Sequence, residues 1–203
     1  MSGGILRWFL IFTFLTLFYA QVLRSFTAEL DRRVPGGIVT LELAGIQGEA
    51  DEILSCLEGR GEARNLLPVA RLQLWLDFGF LLLYPVAIAL GCLLARRRLA
   101  KWGWLAAAGL LLARSQAVAG LFDLGENLAL LRVVALYGRD PSSAVGTWAT
   151  VAGVLAALKF LLVGFGLAYA LLGFIRWLTE EVGPYGATSE GPPGEPEPSL
   201  SRP

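Results

Sequence analysis

Asp77, Arg114, Gln116, Asp123, Glu126, Asn127 and Lys159 interrupt stretches of this chain that are otherwise apolar. Carboxylates gathered with a lysine and an amide can lock a salt-bridged network, bind a polar headgroup, carry protons, or serve as acid and base. At 100° per residue, Gln116, Ala119, Gly120, Asp123, Asn127 and Leu130 share one helical face, with Glu126 at its border. An ionisable side chain inside an apolar helix is costly, so it normally faces the interior and has a partner. Asp77, Asp123, Glu126, Asn127 and Lys159 are therefore expected to converge. Lys159 is expected to pair with Asp123 or Asp77, and Asn127 to bond to a neighbouring helix. Arg114 points to the opposite side of its helix, where it can snorkel inward, contact a phospholipid headgroup or meet another subunit.

The residue types narrow the chemistry. Histidine is absent, which removes the usual general base and transition-metal ligand. Cys56 and Cys92 lie far apart in the predicted organisation, so neither a disulfide nor a thiolate metal site is expected. No HExxH, GxSxG or Walker lysine loop occurs, and Gly164-Phe165-Gly166 sits inside an apolar run as a packing feature. The sequence thus predicts no metal and no cofactor. A formal net charge of zero gives no electrostatic case for nucleic acid.

The elements that must position these groups are four apolar stretches: Ile5–Leu23, Leu74–Ala95, Trp102–Leu121 (running on toward Leu136) and Trp148–Trp177. Each is close to the roughly twenty residues that cross a bilayer as a helix. All six tryptophans, at 8, 75, 102, 104, 148 and 177, lie near the ends of these stretches, where an amphipathic ring prefers the headgroup region. Hydrophobic residues make up 55% and charged residues 17%, too apolar for an ordinary soluble domain. The fold class read from this is all-α, a four-helix transmembrane bundle. The first stretch lacks an A-x-A-like cleavage site and reads as a retained anchor. Small residues every four positions, Gly109/Ala113/Ala117 and Ala149/Gly153/Ala157, predict a tight pairing of spans three and four. Pro85 is expected to kink span two. Measured from the tryptophans at 1.5 Å per residue, Asp77 and Asp123 fall near one interface, and Lys159, about 16 Å from Trp148, near mid-membrane.

Arg96-Arg97-Arg98 and Lys101 form a short basic link without an acid, which by the positive-inside rule faces the cytoplasm. Both termini then face the cytoplasm of a multi-pass inner (plasma) membrane protein, and the segment between spans one and two faces outside. That segment carries Arg24, Arg32, Arg33, Arg60, Arg64 and Arg71, which opposes this orientation, but the rule weights short links most. Within it, Val39, Leu41 and Leu43 alternate with Thr40 and Glu42 as in a strand. Ala50, Ile53, Leu54 and Leu57 then recur at helical spacing. The expected organisation is a first transmembrane helix over 1–24, an extracytoplasmic strand-plus-helix cap over 25–71, helices two to four over 72–182, and a disordered Pro/Gly-rich cytoplasmic tail over 183–203.

Leu76-Asp77-Phe78 with Tyr84-Pro85, Phe122 through Asn127, and Ala157-Leu158-Lys159-Phe160 together resemble a pattern in small, uncharacterised prokaryotic four-helix integral membrane proteins. Gly37-Ile38-Val39 through Glu42-Leu43-Ala44 is similar to the loop that follows their first helix. The resemblance spans most of 1–177; it implies the architecture and the shared polar positions, and no activity. The leading functional expectation is a non-catalytic accessory subunit or a lipid- or ligand-binding module, with membrane lipids and a homo-oligomer or larger membrane complex as partners. The alternatives are a small oligomeric or proton-coupled transporter, and a lipid-modifying enzyme using Asp77, Asp123 or Glu126.

Overall fold

The computed structural model describes residues 3–47, 49–59, 64–137 and 145–181. These form α1 (Gly3–Arg33), α2 (Gly37–Gln47), α3 (Ala50–Glu58), α4 (Leu67–Phe80), α5 (Tyr84–Arg98), α6 (Gly103–Tyr137) and α7 (Val145–Glu181). The tail beyond 181, expected to be disordered, lies outside the described residues. Four helical runs are long and apolar enough to cross a membrane: Gly3–Arg33, Leu67–Arg98, Gly103–Tyr137 and Val145–Thr179. The second is α4 and α5 end to end. The break falls at 81–83, just before Pro85, whose missing donor and ring prevent the regular ladder from continuing.

The expected strand over residues 38–45 does not exist; the segment is α2, and the described residues contain no strand. A lone strand would leave a row of amides and carbonyls unpaired in apolar surroundings, whereas a helix satisfies them internally. Helical spacing also brings Leu41, Glu42 and Ala44 to buried positions together, which alternation cannot. The turn from α1 into α2 uses Gly36 at φ 88°, a left-handed conformation that disfavours side chains. The Thr40 hydroxyl donates to the Pro35 carbonyl across it, at 2.6 Å. The expected helix around 48–57 is α3, with Ala50, Ile53, Leu54 and Leu57 buried.

Two apolar cores divide the molecule lengthwise. One joins the end of α1 (Leu30), α2 (Leu41, Ala44), α3 (Leu54, Leu57), α4 (Leu74), the end of α6 (Leu130, Val133) and the start of α7 (Ala149, Ala152). It makes the cap continuous with the bundle. The other joins Tyr84, Ile88, Cys92 and Ala95 of α5 with Tyr169 of α7, and Leu105 and Leu112 of α6 pack against it. α6 and α7 form the most extensive pair, and α5 packs on both. Their registry is not the one the small-residue stripes predict: Ala117 and Ala157 are exposed. Ala149 instead receives α2, for a side chain on Gly45 would collide with the Ala149 carbonyl oxygen. Gly109 gives room to the Tyr169 ring, whose hydroxyl donates to the Leu105 carbonyl at 2.8 Å.

α1 stands apart. It packs on α4 and α5, where the Tyr19 hydroxyl donates to the Leu76 carbonyl at 2.7 Å, but among the described residues it has no substantial interface with α7. Its outward face is apolar and bare: Leu10, Phe14, Leu17 and Phe18 are all exposed. Trp8, Trp75, Trp102, Trp104 and Trp148 are exposed as well.

Candidate functional site

Lys159 is the hub of the polar groups. Its Nζ lies 2.7 Å from Glu126 Oε2, 3.0 Å from Asp123 Oδ1 and 3.5 Å from Glu42 Oε2. All four side chains are buried, Glu126 completely. Asn127 Nδ2 donates to Asp77 Oδ2 at 2.7 Å, tying α6 to α4 beside this hub. The structure thus gathers Asp77, Asp123, Glu126, Asn127 and Lys159. It pairs Lys159 with Asp123 and Glu126, while Asp77 takes Asn127. Arg114 lies outside the cluster, exposed on α6.

Each placement has a local cause. Helical periodicity puts Gln116, Ala119, Asp123, Glu126, Asn127 and Leu130 at buried positions of α6. Gln116 anchors that face one level away by donating from Nε2 to the Leu162 carbonyl of α7 at 3.0 Å. Lys159 reaches the cluster from α7 because Ala156 and Ala152, one and two turns before it, are small and buried, so α7 can approach closely.

Glu42 is the site residue that the strand reading hid. It is the only charged residue of the run Val34–Gly48, and an isolated acid in an apolar run follows the same logic that singled out Asp77 and Lys159. α2 delivers it to Lys159 because Gly45 lets α2 lie directly on the α7 backbone.

The height of Lys159 differs from the mid-membrane position inferred from Trp148, while that of Asp123 does not. Trp102 and the α7 terminus meet, with the Arg176 guanidinium 5.6 Å over the Trp102 ring. Counted from that end, Asp123 stands about 28 Å up α6 from Trp104, and Lys159 about 27 Å up α7 from Trp177. Both distances approach the roughly 30 Å thickness of bilayer hydrocarbon. Trp148 is a poor origin because α2 covers that part of α7. Lys159 therefore lies level with Asp123 at the foot of the cap, rather than half way along.

Charge does not balance there. Glu42, Asp123 and Glu126 contact one lysine with Asp77 held beside them by Asn127, and buried charge is tolerated only when paired and hydrogen-bonded. Several polar atoms are poorly satisfied: among the described residues, Glu126 Oε1 and the Tyr84 hydroxyl are buried without a well-formed hydrogen bond, and Glu42 Oε2 has only its 3.5 Å ion pair with Lys159. Among the same residues, no group of three His, Cys, Asp or Glu side chains is arranged to hold a metal.

The cluster opens onto a cavity of about 1170 Å³. Glu42, Asp77, Tyr84, Asp123 and Lys159 line one end, and Arg97, Arg98 and Trp177 the other. Between them the wall is apolar, built from Leu10 and Leu17 of α1, Ile88 of α5, and Val163 and Leu167 of α7. Leu10, Leu17, Leu167 and Leu171 line it and are also exposed, so the cavity opens sideways where α1 and α7 fail to pair. No protein family matches this chain, and no curated protein or solved structure is significantly similar to it.

Proposed function

We propose that this is a non-catalytic membrane protein that takes a lipid or lipid-like amphiphile from the bilayer into the seam between α1 and α7. The observation that carries the reading is the cavity: long, apolar, open on its side, and polar at both ends. At about 1170 Å³ it exceeds the range of roughly 300–1,000 Å³ typical of small-molecule sites. Its shape suits an extended chain. The apolar wall offers such a chain no polar partner, and the side opening faces the helix surface that lipid would cover. In this reading the Arg96–Arg98 link and both termini face the cytoplasm of the inner (plasma) membrane, and the cap of α2 and α3 faces outside.

Native mass spectrometry of the gently extracted full chain tests this directly. Retained phospholipid is expected on the wild type and should be largely lost in the double variant Leu17→Trp, Leu167→Trp, which fills the seam from both sides. Retention unchanged in that variant, or no retained lipid at all, would reject the proposal.

A further inference from the structure

The cap end of the cavity offers acceptors and negative charge that the protein itself matches only in part, with one lysine shared among three carboxylates. Tyr84 and Glu42 both line it, at 8% and 7% exposure; Glu42 Oε2 has only a 3.5 Å ion pair with Lys159, and the Tyr84 hydroxyl, beside Asp123, has no well-formed hydrogen bond among the described residues. Asp123 and Asp77 line the same end. The one cation there among the described residues, Lys159, is already shared among Glu126, Asp123 and Glu42 at 2.7, 3.0 and 3.5 Å. A compact group that carries positive charge and several N–H donors, and accepts nothing, would complement this end.

Resting on the lipid-binding reading above, we propose that the cap end is a subsite for the primary ammonium of an aminophospholipid, with the acyl chain lying along α1, α5 and α7. A primary ammonium presents three donors and no acceptor. Glu42, Asp123 and the Tyr84 oxygen supply three acceptors from α2, α6 and α5. Its charge offsets part of the carboxylate excess, where low dielectric strengthens the attraction. A choline headgroup brings the charge without donors and gives neither Tyr84 nor Glu42 a hydrogen bond. An anionic headgroup meets the carboxylates and is repelled. The apolar seam is the entrance, so the ligand is an amphiphile rather than a free amine.

The test is competition between phosphatidylethanolamine, phosphatidylcholine and phosphatidylglycerol of identical acyl chains, read as bound occupancy on the full chain by native mass spectrometry. Ethanolamine lipid should exceed choline lipid by at least about tenfold, the factor that a charge-assisted hydrogen bond supplies. Tyr84→Phe, which keeps the ring and the fold, should reduce that preference several-fold, and Glu42→Gln should reduce it further. Equal occupancy of ethanolamine and choline lipids would overturn the proposal and show that the cap end does not read the N–H donors of the headgroup. Preference for the glycerol lipid would overturn it in favour of the arginine end. In both cases, seam-dependent lipid retention would survive. If no lipid binds in a seam-dependent way, the underlying reading fails with it.

Discussion

Lys159 Nζ on α7 stands 3.5 Å from Glu42 Oε2 on α2, and this contact fastens the cap to the bundle of long apolar helices at the level where its polar groups gather. The same ammonium holds Asp123 and Glu126 of α6, so three separate elements meet on one charge. Removing that charge should be felt in all of them.

Lys159→Met is expected to destabilise the protein by roughly 3–5 kcal/mol, because it strands buried carboxylates. Adding Asp123→Asn or Glu126→Gln should recover much of the loss, with a coupling well above the roughly 0.5 kcal/mol scatter of independent sites. Asp77→Asn should be nearly additive with Lys159→Met, since Asp77 spends its hydrogen bond on Asn127. Double-mutant cycles of reversible unfolding in mixed micelles measure all three. Additivity in the Asp123 and Glu126 cycles would refute the hub.

Much of this arrangement was legible in the chain. The spans follow from length and apolarity, and the buried face of α6 from its 3.6-residue period. α3 follows from Ala50, Ile53, Leu54 and Leu57. Three features were not. Val39 to Leu43 fits a period of two, and over so few residues an apolar run reads equally as strand or buried helix; only contact with α7 decides, and Gly45 makes that contact. The depth of Lys159 depended on Trp148, whose surroundings the sequence does not reveal. The cavity arises where α1 and α7 fail to pair, and no residue spacing encodes a missing contact.

The α2–α7 approach should be intolerant of bulk. A methyl group on Gly45 would collide with the Ala149 carbonyl, so Gly45→Ala should cost about 1–3 kcal/mol by overpacking. Gly146→Ala, where nothing lies within 4 Å, is the matched control and should be neutral or stabilise by up to about 1 kcal/mol through helix propensity. Thermal unfolding of the two variants separates crowding from propensity; a harmless Gly45→Ala would disprove the close crossing.

Orientation is testable with the cysteines already present. Cys56 is exposed on α3 and Cys92 is buried in α5. With the Arg96–Arg98 link inside, an impermeant maleimide should label Cys56 in intact cells, and Cys92 should stay protected. In a Cys56→Ser background, Gly103→Cys should label only after the membrane is opened. The reverse pattern would place the cap, and the carboxylate end of the cavity, in the cytoplasm.

Asn127 offers the most selective probe of the cluster, because its amide is the donor that holds Asp77 against α6. Asn127→Leu removes that donor and leaves the Asp77 carboxylate part-buried without it, at an expected cost of about 1–3 kcal/mol. Asn127→Asp keeps the shape but sets a second carboxylate against Asp77 where carboxylates already outnumber the lysine. It should therefore be the more damaging change at neutral pH. Lowering the pH protonates one member of the new carboxylate pair and also restores a donor, whereas in Asn127→Leu it only neutralises Asp77, so Asn127→Asp should regain more stability on acidification than Asn127→Leu. Melting curves of both variants from neutral to mildly acidic pH give the comparison. Parallel pH profiles for the two would show that Asp77 does not depend on the Asn127 amide.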